Sequence, residues 1–402
     1  MDGTDWAAAT PPSREGALAR LAAVRPSAYA RTRNHLDGAV SGLSPYLTHG
    51  VLTLPEVLAS VHQRAPLDVG HKFVYELGWR EYFRHVWQFE GNGIFESLHA
   101  GPQPEHHYAQ ALPADIREGC TGVPVIDRAV QTLYRTGTLH NHARMWLASY
   151  VVHLRHVHWK AGADWMVTHL LDGDLASNHL SWQWVAGTGS HKPYLFNAEN
   201  VARYAPPAWH SPGSIVDRTY SELEAIARGQ TEAAGATASR LFEDGIAEPA
   251  LRPLPPDVLS IGQSGDVSEA SVEGRDVWLV HPWALRAPPP EIDAHALKIG
   301  IYPAEHYRTW PWPAARWAWV DAAMQAQTVQ RLCLDGAGLA GILAKANRVW
   351  AFADPHIEGY LPDSVTRVQT PRLFPQVTRR CTSFSQWWTR ATRGLRTTAD
   401  LL

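Results

Sequence analysis

Two carboxylates, Asp172 and Asp174, stand one residue apart in the segment DGDLASNHLSWQWVAGTG (172–189). Acids at i and i+2 do not share a helix face. The glycine between them, Gly173, interrupts a helix and lets the backbone come close to a ligand. Two readings follow. The acids are solvated at a helix end, or an ionised one is buried and needs a cation. Arg144, in HNHARMW (140–146), sits inside a helical pattern beside Met145 and Trp146 and is a candidate for that cation. Trp182 and Trp184 bracket Gln183, and Trp159 ends the run HVHW. Buried indoles are more often packing than chemistry. With paired acids and Asn178 nearby, they also suit a site that stacks planar groups or passes electrons. His153 and His156 have an i, i+3 spacing compatible with a metal. Neither an HExxH pattern nor a third ligand accompanies them, so no metal site is expected.

The elements that must position these residues fall into two styles. From Arg14 to about Arg228 the apolar spacing is helical. Ser13 stands where a helix N-cap belongs, and Gly137 where the helix VPVIDRAVQTLYRT should stop. The run HARMWLASYVVHLRHVHW is apolar nearly all round and predicts one buried helix. Between about 228 and 275 the chain turns to Ala, Gly, Ser, Pro and acids, the composition of a linker, with one short helix expected near Leu241. Beyond it, DVWLVHPWAL, LKIGIYP, VQRLCLDG, NRVWAFAD and SVTRVQT are short runs rich in Val, Ile and Leu. Helical stretches separate several of them, which predicts a small α/β domain with a mostly parallel sheet. No glycine-rich phosphate motif marks it. The expected organisation is a mainly α-helical domain over 1–227, a linker over 228–275 and an α/β domain over 276–402.

A chain of 402 residues suffices for two or three cores. The net charge is −3, and residues 1–205 hold 17 Lys and Arg against 18 Asp and Glu. The Lys/Arg excess that duplex DNA usually demands is therefore missing. The three cysteines, Cys120, Cys333 and Cys381, are too few and too scattered for a disulfide scaffold or a four-cysteine metal site. With no leader pattern at the first residues and no apolar run of membrane length, a reducing, cytoplasmic setting is expected.

Four segments in order resemble the FAD-binding domain of the DNA photolyase/cryptochrome family: YARTRNHLDGAVSGLSPYLTHGVLTLPEV, YELGWREYFRHV, GCTGVPVIDRAVQTLYRTGTLHNHARMWLASYV and LLDGDLASNHLSWQWVAGTG. The resemblance covers roughly residues 29–200. It implies FAD as cofactor, with Tyr29, Ser41, Gly42, Leu43 and Ser44 at its phosphates and sugar. It implies that Phe73, Glu76 and Arg80 line it, and that His140, Asn141, Arg144, Asp172, Gly173, Asp174 and Asn178 complete the site. Asp172 and Arg144 match an ion pair beside the flavin ring, and Asn178 an amide at its N5. Trp182 and Trp159 match the inner members of an electron-transfer chain. The outer member should fall near Leu98–Tyr108, where there is no tryptophan, so the route is shortened or finishes at Trp146 or Trp165.

For substrate, the resemblance implies that Trp79 and Trp184 stack on a flipped-out pyrimidine dimer and that Glu76, Asn141 and Met145 touch it, with Arg33 and His142 on the DNA side. His142 and Gly42 replace basic residues of the family pattern. The family's antenna domain precedes its FAD-binding domain, whereas here an α/β segment follows it, as if antenna-like and displaced; a second chromophore is unknown. The leading expectation is a lyase that repairs cyclobutane dimers in DNA under blue light, with single-stranded DNA preferred. Glu76, Asn178, Trp182 and Trp159 would carry the chemistry. The alternative is a cryptochrome-type photoreceptor that photoreduces FAD without repair and signals to a protein partner as yet unknown. A helical module without flavin is the plainest reading of all, and the joint presence of Asp172, Asp174, Asn178 and Arg144 argues against it.

Overall fold

The computed structural model describes residues 6–190, 192–232, 245–262 and 272–402. The expected short helix near Leu241 lies outside the described residues.

The first part is helical. Ser13 caps the helix Arg14–Ala22 by accepting from the Gly16 amide, as its position suggested. A capping box of Thr53 and Glu56 starts Leu54–Arg64. The long helix Lys72–Glu90 follows. Pro124–Thr136 ends on Gly137, whose φ of 63° is left-handed and suits only glycine comfortably. Trp159–His169 and Leu175–Ala186 then bracket the turn that carries Asp172 and Asp174.

One expectation is corrected here. The run HARMWLASYVVHLRHVHW is not a single helix. Asn141–Ser149 is α-helical, Tyr150–Leu154 widens into a π turn, and His156 adopts a φ of 47°. The break puts His153 and His156 on different partners, the Val185 and Ile226 carbonyls. Among the described residues no group of three His, Cys, Asp or Glu side chains converges as a metal site.

The second part is a five-stranded parallel sheet, as the alternating pattern predicted. Its strands are β1 (Asp276–Val280), β2 (Leu297–Pro303), β3 (Gln330–Leu334), β4 (Arg348–Phe352) and β5 (Val365–Val368), in the order β3-β2-β1-β4-β5. Both faces need cover, so the strands read as apolar runs. The helices Ala314–Gln325 and Gly336–Leu343 alternate with them.

One apolar core runs through the seam between the two parts, from Leu21, Tyr46 and Val74 to Trp278, Ile301 and Trp317. A second core, around Val130, Trp146 and Leu147, belongs to the helical part. The described portions of 228–275 are packed rather than tethering. Leu251–Arg252 pairs with Trp312–Pro313, and Glu248 accepts from Trp165 and His169. The final helix, Phe384–Ala391, returns to the Lys72–Glu90 helix. It lies so close that a Cβ on Gly78 would come within 2.6 Å of the Trp388 ring. No described helix is long and apolar enough to cross a membrane.

Candidate functional site

The helical part encloses a cavity of about 600 Å³, within the usual range for a cofactor or small-ligand site. The Asp172–Asp174 turn forms one wall. Asp172 is buried, and Arg144 Nη2 lies 2.9 and 2.8 Å from its two oxygens. Of the two readings of the paired acids, burial against a cation is the one the structure adopts. Burial by itself would raise the carboxyl pKa, but Arg144, a Ser44 hydroxyl bond and Arg80 hold it below the ordinary value. Asp174 is more enclosed, 1% exposed. Arg84 reaches it at 2.7 Å and Arg80 at 3.8 Å. Here too burial opposes ionisation, and Arg84, His356 and Arg80 overcome it. Arg80 also donates to Thr48 Oγ1, which donates to the Asp172 carbonyl.

Most of the expected residues meet at this cavity. Tyr29, Arg33, Ser41, Gly42, Ser44, Glu76, Trp79, Arg80, His140, Asn141, His142, Arg144, Met145, Asp172, Asp174, Asn178 and Trp182 all line it. Glu76 pairs with Arg33 at 3.2 Å, and burial raises its carboxyl pKa more than Arg33 and Lys72 lower it. Burial, with His142 next, drops the His140 pKa to about 4, so its ring is neutral. Asn178 donates from Nδ2 to the Ala163 carbonyl, which leaves its oxygen as an acceptor. Trp182 is buried against Gly162, where a Cβ would collide with the indole, so only glycine permits this approach.

Seven expected residues take other places. Phe73 stands behind Tyr29, edge-on at 5.5 Å. Leu43 is core and precedes the short helix Ser44–Thr48. Gly173 turns its carbonyl away, to Arg316. Trp159 is buried and donates to Ser97. It faces His158 and shares a small pocket with Tyr108. Trp146 and Trp165 are both buried in the second core and bond instead to Asn200 and to Tyr134 and Glu248. Trp184 is not among the residues that line the cavity: it is 40% exposed and tilted on Tyr194, on the helix edge next to Ser177 and Ser181, which do line it. Gln183 is a clamp: it accepts from the Leu98 amide and donates to the Ile94 and Glu96 carbonyls.

The residues that sequence reasoning missed are Arg84, Thr48 and Arg20. Arg84 was findable, because it lies four residues after Arg80 on the same helix face. Arg20 was not. It comes from the first long helix and lies where a side chain on Gly42 would stand, with Nη1 3.3 Å from that Cβ position. A cation thus lines the cavity although position 42 carries none.

The donor set fits FAD. Arg20, Arg33, Ser41 and Ser44 offer cations and hydroxyls to an anionic diphosphate. Ala148, Met166, Leu170, Trp182 and Val185 offer apolar surface to a flat ring, with the Asn178 amide among them. The architecture is that of a flavin-binding helical domain. Residues 73–227 match the family described as the FAD binding domain of DNA photolyase. A deoxyribodipyrimidine photo-lyase of Streptomyces griseus is 34% identical over 155 residues, covering 38% of this chain and 33% of that protein. One from Thermus thermophilus is 37% identical over 198 residues, covering 47% and 46%. The cryptochrome DASH of Oryza sativa subsp. japonica is 33% identical over 220 residues, covering 52% and 37%. A Synechocystis cryptochrome structure is similar at a TM-score of 0.43 and 30% identity, covering 48% and 43%. The chain spans less than half the length of each of these relatives. Its helical part is thus similar, over residues 73–227, to the FAD-binding domain of DNA photolyase.

Proposed function

We propose that this chain repairs cyclobutane pyrimidine dimers in DNA under blue light. One observation carries the proposal: Glu76, Trp79, Asn141 and Met145 line the same cavity as the Asp172–Arg144 pair. A lesion contacting them would therefore share the chamber with the cofactor. FAD, when bound and reduced, supplies an excited electron there. The chain does the rest. Arg20 and Arg33, with the Ser41 and Ser44 hydroxyls, would hold the diphosphate, and the Arg144–Asp172 pair would order one wall of the site. Trp79 stacks on Phe384 at 4.0 Å and 13°, which fixes its plane and leaves its other face for a base. Glu76, with a raised pKa, is poised to keep or share a proton with a bound lesion. Trp182, which lines the cavity, and Trp159 behind it would be the chain's electron donors to that group when bound. A lesion must leave the base stack to enter, and single strands impose less unstacking cost. Single-stranded substrate is therefore preferred in this reading.

A second reading is favoured by Trp184. It stands outside the cavity lining, 40% exposed and tilted on Tyr194, so of the two aromatics expected at a dimer only Trp79 lines the chamber. The protein would then photoreduce FAD and signal without repair. The experiment is a blue-light assay of reduced protein with dimer-containing oligonucleotides, single- and double-stranded. Dimer loss on either substrate supports the lyase. No loss on both, with flavin present, rejects it in favour of the photoreceptor.

A further inference from the structure

A parallel sheet ordered β3-β2-β1-β4-β5 offers a ligand crevice outside the carboxyl ends of β1 and β4, where the strand order reverses. In this chain that crevice is filled by the helical part. After β1 the chain continues through His281, Pro282 and Trp283; after β4 it continues through Ala353, Asp354 and His356. His49 spans the seam, with one ring nitrogen 2.6 Å from the Pro282 carbonyl and the other 2.8 Å from the Leu171 carbonyl. Arg84 joins Asp174 to Asp354, at 2.7 and 3.0 Å. His356 accepts from the Leu175 amide at 3.1 Å, is held by Asp354 at 2.7 Å, and stacks on Trp283.

Arg316 completes the grip. It projects from the helix Ala314–Gln325, is 2% exposed, and donates to the Val167 and Gly173 carbonyls at 3.0 and 2.9 Å. Its guanidinium lies over Trp312 at 4.2 Å. Two links of the turn Leu171–Leu175 run directly to the sheet part, the Gly173 carbonyl to Arg316 and the Leu175 amide to His356; two more, the Leu171 carbonyl and the Asp174 carboxylate, reach it through His49 and Arg84, which contact Pro282 and Asp354. The opposite side of that turn presents Asp172 and Asp174 to the FAD cavity.

We propose that the sheet part is the positioning frame of the cofactor site: its ligand crevice takes this chain's own Leu171–Leu175 turn as occupant, and Arg316, Asp354 and His356 are positioning residues for Asp172 and Asp174. The short extended turn is polar and sits against a buried sheet end. It would not hold one conformation without these bonds, because each buried carbonyl and carboxylate needs its partner. Two sites joined by one shared element are reciprocally coupled: FAD binding and order in the sheet part each favour the other. The inference rests on the cavity holding FAD and is independent of whether a lesion is repaired.

The test uses the full chain. Asp354→Asn keeps the side-chain size and removes the charge that pairs with Arg84 and His356; Arg316→Lys keeps the charge and loses the guanidinium fork that reaches two carbonyls. The expected result is an FAD Kd raised by roughly tenfold or more, the scale on which supporting residues act on a ligand set, and a shifted midpoint potential of the bound flavin. A merely structural role would lower the melting temperature and leave that potential unmoved. In the wild-type protein, hydrogen exchange at residues 312–320 and 348–358 should slow when FAD is added to stripped protein. The exchange experiment stands even if a variant fails to fold. Unchanged exchange in both segments overturns the proposal, as do well-folded variants whose Kd and potential equal the wild type's.

Discussion

The two parts of this molecule treat their concave surfaces in opposite ways. The helical part keeps a cavity open and lines it with Arg20, Arg33, Arg80 and Arg144 around two buried acids. The sheet part has the crevice in which such sheets usually hold a ligand, and closes it with His49, His281, His356 and a turn of its own chain. The first arrangement leaves charges waiting for a ligand; the second satisfies its links internally. A fold's customary site is therefore only an opportunity, and which side chains point at it decides whether it binds or supports.

The comparison can be broken most forcefully at the cavity wall. Arg144→Met leaves Asp172 buried without its cation, a change that typically costs about 3–5 kcal/mol. We expect loss of bound FAD, read as loss of the flavin absorption band of the purified protein; retention of FAD at wild-type affinity would refute the role of the pair. Acid tests both regions at once. Burial, the largest cause in each case, lowers the pKa of His49 to about 3 and of His281 to about 4, so both are neutral in the seam. Their folded values lie below the unfolded one, so stability is complete above about pH 6.5 and falls on acidification by about 1.4 kcal/mol per pH unit for each histidine. Asp172 and Asp174 are also depressed, so their contribution persists until below about pH 4. Melting curves from pH 7 to 4 should therefore drop before the carboxylates titrate; a flat profile would show that the seam does not limit stability.

Smaller effects distinguish the two aromatics. Trp79→Ala should keep FAD and weaken binding of a dimer-containing single strand by about 1–3 kcal/mol, one stacked base. Trp184→Ala should change that affinity by less than about twofold and stability by no more than about 0.5 kcal/mol, as for exposed positions. An equal loss from both, by fluorescence titration, would return Trp184 to the substrate face.

Legibility followed physical locality. The five strands of the parallel sheet and the caps at Ser13 and Gly137 were readable because period and capping act within a few residues. The Asp172–Arg144 pair was readable because a buried acid requires a cation, and Arg144 lay inside a helix beside apolar residues. Three things were not. The π turn at Tyr150–Leu154 interrupts a sequence whose apolar pattern continues unbroken. Trp182 and Trp184 share one motif, but only Trp182 is buried at the cavity while Trp184 is 40% exposed. Arg20 reaches Gly42 from a helix whose pattern carries no sign of a ligand.

The sequence by itself determined the helical and sheet parts and the paired acids with a candidate cation, since these rest on local periodicity and on the cost of burying charge; the flavin expectation for the first part came from its resemblance to a known family. Tertiary structure alone decided that the sheet's crevice takes in the turn carrying Asp172 and Asp174. Those contacts join residues more than a hundred positions apart, such as His49 with Pro282 and Gly173 with Arg316, and only the folded chain brings them within a hydrogen bond.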